Sequence, residues 1–589
     1  MKMKSPQTSN KPKTQAPDLS KLNAWLNWSK EAGRKTRWEW FVIDQFLKGN
    51  HNVRGNPQDN TIEMGSKQER VNFPINQMKL TFRSVKAFVT RHKPIISVEP
   101  EDSSDEAKNY ARRANKLIER DNQKNGGQKL NREWAHYGVK YGVGWRQIGY
   151  DTVKKCAIRW TIDPFDLYIG AKSGKAEDAP YLIKAVTRTV GYWKEKYPKS
   201  NVSADGKLAD DEYKELSMQI DFETGSSQEP DESTAIGYEC WYRLFEKNSQ
   251  GGLINKCLFT ETEILSFEET PYEEYPFVPY EAEVAPNELY PDGHMKDMIA
   301  PQRMLNLLNT QLLEYNHIVN RGTILKPKNA GFKVISAREG RIIEYNPGKK
   351  PEILPPPPVS SLLERQINLS LQFIQDIGAQ QDASRGRLPS SGMSGDAIEA
   401  LQMGDANTIS DLRDNFEDAL AREASWILKV YSLFETDGVV LEDSSNPEDI
   451  QKFAAVGSKA YESIDKQVPE KYYIEDNGSY CATCAILPEN NVSVSVNSEL
   501  GETKASRIAL LKELVTLGLP LKVLLEHLEF PNTDDIFQRM ADEAMADMAL
   551  ENMKAQGQAQ AQVDSQPVPM APAPDGDVSG QLDQIISSF

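Results

Sequence analysis

Cysteine and histidine are scarce in this sequence. Five cysteines stand among 589 residues, and Cys156, Cys240 and Cys257 are isolated. Cys481 and Cys484 make one CxxC, but a structural zinc site needs four ligands, and no second Cys or His pair stands at ligand spacing. The six histidines (51, 92, 136, 294, 317 and 527) are likewise unpaired. Reduced, half-buried thiols are the reading for the cysteines, and no metal and no cofactor are expected. Long apolar runs are missing too. The most hydrophobic stretch, RIALLKELVTLGLPLKVLLEHL, is interrupted by Lys512, Glu513, Pro520 and Lys522, so nothing reads as membrane-spanning. The first residues are basic and then polar, without the apolar core of a secretory signal. The chain is expected to stay in the cytosol where it is made.

Catalytic signatures are missing as well. There is no GxxxxGK[ST] phosphate cradle, no GxSxG, no HExxH and no GxGxxG. Acidic pairs such as Asp210–Asp211 and Asp534–Asp535 sit in polar, turn-like context and read as solvated surface rather than metal-binding carboxylates. No enzyme activity is expected. Basic charge is in short supply: 69 Lys and Arg against 86 Asp and Glu leave a formal net charge of −17. Tight DNA binding normally comes from Lys and Arg displacing condensed counterions, so this balance counts against a protein that grips DNA. It does not exclude one past which DNA slides.

What is present is a long chain of alternating character, enough for two to four domains. Residues 1–18 carry no apolar period and read as a disordered tail. Leu22 to Leu47 reads as one aromatic-rich helix, and INQMKLTFRSVKAFVTRHKP as a second, stopped by Pro94. A polar helix over SSDEAKNYARRANKLIERDNQ ends before Gly126 and Gly127. GVGWRQIGYD and CAIRWTIDPFDLYIG alternate as a hairpin, and residues 181–290 mix short strands with loops.

The pattern then turns to long helices. Leu305, Leu308, Leu312, Tyr315 and Val319 repeat at spacings of three and four, a narrow seam of the coiled-coil kind. Leu363, Ile367, Ile374 and Ile377 keep such a seam in a second helix. Between the two lies a segment of short strands and turns, 322–358, with seven Lys or Arg against three Glu. This reads as a hairpin of long helices carrying an excursion at its tip. The basic excess there, including Lys326, Lys328 and Lys333, has two readings: scattered surface charge, or contact with a partner or DNA. The Gly/Pro/Ser loop DASRGRLPSSGMSG follows, with Arg385 and Arg387, and then a third long helix with Ile409, Leu412, Phe416, Leu420, Ile427 and Phe434 on one face. Residues 438–497 return to strands and loops, 498–555 to helix. Residues 556–589 read as a flexible tail, whose Leu582, Ile585, Ile586 and Phe589 form one short apolar face.

From about Leu22 to Met553, the order of these pieces resembles the bacteriophage portal family, the head-to-tail connectors, and within it the short-tailed type. WEWFVIDQFLKGN resembles the opening helix of that family, NFPINQMKLTFRSVKAFVTRHKPIISVEP its Asn-containing helix and Pro-bounded strand, and GVKYGVGWRQIGYD its Gly-x-Gly hairpin. WTIDPFDLYIGAKSG resembles its "D-P" strand, although Gly170 and Ala171 stand where a second Asp is frequent. DGHMKDMIAPQRMLNLLNTQL resembles the helix with a Gln and an Asn, and SGMSGDAIEALQMG the junction before the third long helix.

The resemblance implies an α+β, mostly helical portal fold. It places a wing at 19–292 and 396–497, a stem helix hairpin at 293–321 and 359–384, and a small β-containing clip at 322–358. A tunnel loop falls at 385–395 and a helical C-terminal crown at 498–555. It also implies a self-assembled ring, usually of twelve subunits, at one capsid vertex of the virion, built in the host cytoplasm. Its expected partners are double-stranded DNA passing through the channel, the packaging motor (terminase), a head–tail adaptor or tail proteins, and major capsid and scaffolding proteins. Arg385 and Arg387 are the candidate DNA-channel residues and Lys326, Lys328 and Lys333 the candidate clip-docking residues; the two seams are the candidate stem packing. The alternatives are another non-catalytic virion protein, an adaptor or scaffold, or a DNA-processing packaging enzyme. The strand-rich 140–290 region argues against a scaffold.

Overall fold

The computed structural model describes residues 17–435 apart from 57–60, 65–73, 92–94, 101–104, 173, 206, 208, 223–232, 244–253, 322, 326–351, 355–360 and 380–406; beyond 435 it describes only short strands between 439 and 497. Arg385, Arg387, Lys326, Lys328, Lys333 and the C-terminal segments therefore lie outside the described residues. Residues 1–496 form one compact unit. Among the described residues no helix is long and apolar enough to cross a membrane.

The expected N-terminal helix is two helices, α1 (Leu19–Ala32) and α2 (Arg34–Lys48). Gly33 separates them as a turn residue at φ −90°, ψ −1°, at the edge of the right-handed helical region, where glycine holds regular helical geometry weakly. α3 (Gln77–Thr90) starts where Asn76 accepts from the Lys79 amide at 2.8 Å. α4 (Asp105–Asn125) ends at Gly126, whose φ of +64° favours glycine, and α5 (Gly127–Tyr141) follows. Two short helices, α6 (Val190–Lys196) and α7 (Glu212–Phe222), decorate the strand region. Later come α8 (Ile299–Arg321), α9 (Ser361–Ile377) and α10 (Ser410–Phe434).

The strands are β1 (Val53–Asn56), β2 (Thr61–Met64), β3 (Ile95–Pro100), β4 (Val143–Asp151), β5 (Cys156–Ile162), β6 (Leu167–Ile169), β7 (Tyr181–Thr189), β8 (Thr234–Arg243), β9 (Ile254–Phe259), β10 (Ile264–Glu269) and β11 (Phe277–Glu281). β4 and β5 form the expected hairpin, and β11 lies antiparallel on the other edge of β4. Of the material read as short strands with loops, β11 goes to β4, while β7 to β10 join β6 in one antiparallel sheet in the order β10-β9-β8-β7-β6. Its inner face buries Tyr168, Ile183, Tyr238, Cys240 and Phe259 with Leu22 and Leu26 of α1. Cys156, Cys240 and Cys257 are free and buried, and burial pushes each thiol up, Cys257 to about 11.

The main core lies where α2, α3, α5, β4, β11, α8 and α10 meet. It contains Phe46, Met78, Val85, Trp134, Trp145, Phe277, Leu305, Ile374, Phe416 and Leu420. Each such side chain contributes about 1.5–3 kcal/mol when fully buried. The Gly-x-Gly of the hairpin is a packing requirement. Gly142 has φ +89°, and a Cβ there meets the Pro291 carbonyl at 2.2 Å; one on Gly144 meets the Trp134 carbonyl at 2.8 Å.

Buried charges tie these elements together. Arg146 Nη1 reaches both carboxylate oxygens of Glu423 on α10 at 2.7 Å, and Arg159 bridges to Asp121 on α4 at 3.1 Å. Asp44 of α2 binds Lys140 of α5 and accepts from Lys48 at 2.8 Å and from Ser217 Oγ of α7 at 2.6 Å. Burial works against the Asp44 carboxylate, but Lys140 and these hydrogen bonds outweigh it and hold its pKa at about 2.

Two outcomes follow for stability. Replacing Glu423 with Ala leaves Arg146 buried without its carboxylate, and the loss expected in thermal or urea unfolding is about 3–5 kcal/mol; Arg146→Met with Glu423→Leu should recover most of it. Asp44 titrates lower in the folded chain than its ordinary value of 3.8. Its contribution, on the order of 2 kcal/mol, is present above about pH 4 and is lost as pH falls toward 2. Asp44→Asn should lower stability at pH 7 and flatten the acid limb between pH 4 and 2 in a denaturation series.

Candidate functional site

α8 and α9 pack along one another. Beyond the end of α8, β12 (Thr323–Leu325) pairs antiparallel with β13 (Glu352–Leu354), with Thr323 opposite Leu354 and Leu325 opposite Glu352. Residues 326–351 thus leave and return through one narrow strand pair. The helix starts at Ile299, six residues later than the 293 boundary, because residues 294–298 form turns; Pro301 sits in the first turn, where its missing N–H costs nothing. α9 ends at Ile377, earlier than 384, at a turn in which Ala379 has φ +47°.

The seam residues divide by depth. Leu305, Leu308 and Ile374 are buried, and Leu312, Tyr315, Leu363 and Ile367 are half-buried. Ile377, at 37% exposure, is the most exposed of those described. The side chain of Val319 lies outside the described residues. α9 also carries a second apolar stripe that faces solvent: Leu362 (60% exposed), Leu369 (44%), Phe373 (50%) and Ile377. Their spacings of seven, four and four put them on one helix face. Met304 and Leu307 are exposed on α8. The sequence reading missed this stripe by following only one face of each helix.

A buried amide network fixes the root of the hairpin. The Gln302 carbonyl oxygen accepts from the backbone amides of Gln77 and Met78 at 3.0 and 3.1 Å, satisfying the first turn of α3. Its amide nitrogen donates to the Ile75 carbonyl at 2.8 Å and to Asn306 Oδ1 at 3.0 Å. Asn306 Nδ2 meets His51 Nδ1 at 2.6 Å, and His51 Nε2 meets the Phe46 carbonyl at 3.0 Å, at the end of α2. Burial lowers the His51 pKa, so the ring is neutral at pH 7, with Nε2–H donating and Nδ1 accepting. Gln302 and Asn306 are the Gln and Asn of the motif quoted above.

The "D-P" motif also has a local cause. Asp163 accepts from the Phe165 amide at 3.2 Å and caps a single turn that Pro164 opens. Lys214 of α7 then bridges Asp163 and Asp166 at 3.2 and 2.6 Å. None of this is arranged around a reacting atom: each polar group holds an element in place.

The sequence model of the phage P22-like portal protein family matches residues 59–434, more than half of the chain. No curated protein matches it.

The Gln302 network is testable by itself. Gln302→Leu keeps the volume but takes the partner from the Met78 amide and from Asn306 Oδ1, at about 1–3 kcal/mol for each buried group, and leaves the Gln77 amide and the Ile75 carbonyl only their mutual 2.9 Å bond. Hydrogen exchange at the Gln77 and Met78 amides should accelerate while amides in β7 and β8 keep their protection; unchanged exchange at both positions would remove Gln302 from this role.

Proposed function

The chain belongs to the P22-like phage portal protein family and is thus a portal component of the virion, a head–tail connector that serves genome packaging; on that premise we propose that it closes into a ring, of twelve subunits, whose channel passes double-stranded DNA at one capsid vertex. Portal proteins of this family are generally structural and non-catalytic. The packaging motor and later an adaptor or tail dock on the ring, and capsid and scaffolding proteins surround it during assembly in the host cytoplasm.

In this reading the wing is 19–292 with 396–497, the stem hairpin 293–321 with 359–384, the clip 322–358, the tunnel loop 385–395 and the crown 498–555. Arg385 and Arg387 are tunnel-loop cations, and Lys326, Lys328 and Lys333 dock a partner at the clip. The α8–α9 pair and the closed β12–β13 root support a hairpin that carries an excursion at its tip.

One observation carries the ring: the solvent-facing stripe Leu362, Leu369, Phe373 and Ile377 on α9, with Met304 and Leu307 on α8. A contiguous row of half-exposed large apolar side chains marks an interaction surface. Covering Leu369 and Phe373 alone supplies on the order of 2–3 kcal/mol per contact. A contact repeated head to tail between two different patches closes into a ring when the rotation allows it.

Native mass spectrometry should show a closed species at a multiple of the 66.3 kDa subunit. Leu369→Glu with Phe373→Glu touches only half-exposed positions, so the subunit should fold with unchanged circular dichroism while the ring is lost. Double-mutant rings of normal mass and stability would show that this stripe is not the subunit contact.

A further inference from the structure

We propose that the outer face of α3, with the adjoining turn of α5, is a contact for the phosphate backbone of double-stranded DNA, made by Lys79, Arg83, Lys86 and Arg132. The proposal rests on the portal reading for the identity of the polyanion, but the patch itself stands on geometry. Lys79, Arg83 and Lys86 occupy i, i+4 and i+7 of α3 and so share one helix face. They span about 10 Å of helix axis, on the order of three phosphates along one strand. Arg132 comes from α5, which packs on α3 and is fixed there by the edge contact of the Phe82 and His136 rings, 5.1 Å apart. Lys79, Arg83 and Arg132 are exposed, and Lys86 is half-buried with its ammonium over the Phe82 ring.

What marks these four is that they stand together on one surface. Cations buried inside the fold are paired: Arg37 with Asp211, Lys140 with Asp44 and Arg146 with Glu423. Among the described residues no ion pair joins Lys79, Arg83, Lys86 or Arg132 to a carboxylate, in a chain whose net charge is −17. The patch also carries an internal cost. Burial lowers the Lys86 pKa, and Arg83 and Arg132 lower it further by repulsion. Helix electrostatics do not explain the row, because Lys79 lies in the first turn of α3, the end that favours anions. His136 adds no charge, since burial, Lys140 and Lys86 push its pKa down to about 4. A polyanion relieves the mutual repulsion of such a cluster. Few contacts keep the contact loose enough for DNA to move.

The test uses the full chain and a 30-base-pair duplex of random sequence, with fluorescence anisotropy between 50 and 200 mM salt. Four phosphate contacts give wild-type affinity a fall of about 100-fold over that range. The variant Lys79→Gln, Arg83→Gln, Lys86→Gln, Arg132→Gln should bind more weakly at 50 mM and lose most of the salt dependence, with ring mass unchanged. If that variant does not fold, Arg83→Gln and Arg132→Gln singly carry the same test, each lowering the salt slope by about one. Wild-type protein without affinity for the duplex, or a variant with the wild-type slope, overturns the proposal. So does a variant that binds DNA normally but no longer assembles, which assigns the patch to a neighbouring copy. Failure of the wild type to form rings counts against the portal reading alone, because binding by the unassembled chain still reports on the patch.

Discussion

Four charges lie out of water where α4, the β4–β5 hairpin and α10 meet: Arg146, Arg159, Asp121 and Glu423. Glu423 receives Arg146 through both carboxylate oxygens and lies 3.6 Å from Arg159. Asp121 accepts from the Ala157 amide, from Asn125 and from the Tyr431 hydroxyl. Ionised groups are expensive to bury, and burial still pulls the Arg146 pKa down and pushes the Asp121 pKa up against their partners. Such a cluster adds less to stability than a hydrophobic isostere. It selects instead, because an alternative register of α10 against the hairpin leaves a charge unpaired. The residues 277 positions apart in Arg146 and Glu423 thus fix where the long C-terminal helix lies, and with it the core that α8 and α9 are built against.

The same logic operates at the hairpin root with neutral groups. Gln302 does for α3 what a capping side chain does locally, but from a helix 225 residues away. Its two ends are committed in opposite senses, the carbonyl to α3 and the amide nitrogen to Asn306 and Ile75. Asn306 is in turn committed to neutral His51. A chain of donors and acceptors with fixed direction resists sliding of α8 past α3, since each step leaves several buried groups unpaired. The root is therefore stiffer than apolar packing alone provides.

Legibility in the sequence follows the range of the interactions. Periodicity found α3, α4, α8, α9 and α10, and alternation found β4 with β5, because those signals repeat within a dozen residues. Of the α10 face read from Ile409, Leu412, Phe416, Leu420, Ile427 and Phe434, all are buried but Phe434, which is half-buried. The break at Gly33 was missed because aromatic residues continue the apolar pattern on both sides. The five-stranded sheet was read only as scattered strands, since the β8–β9 pairing closes across 244–253 and has no tight-turn signature. Gln302 and the Arg146–Glu423 pair had no sequence signal as contacts, because each partner is ordinary where it stands. Gly142 and Gly144 could be seen as a motif, but only the Pro291 and Trp134 carbonyls beside them say why.

Inside, Asp44, Asp121 and Glu423 each meet a cation, and the amides of the hairpin root are spoken for, while Nε and Nη2 of Arg146 have no hydrogen-bond partner among the described residues. Outside, α9 shows Leu362, Leu369, Phe373 and Ile377 to water, and α3 with α5 holds four cations without a carboxylate. These two kinds of incompleteness differ in what they demand. An apolar stripe on a rigid helix calls for a partner of fixed shape, and a repeated neighbour supplies that at every subunit. A cluster of cations calls only for negative charge and tolerates a partner that slides, because Coulomb attraction falls slowly with distance and carries no register. α3 packs on α8 and α9, so the two kinds of surface lie on adjoining elements of one fold.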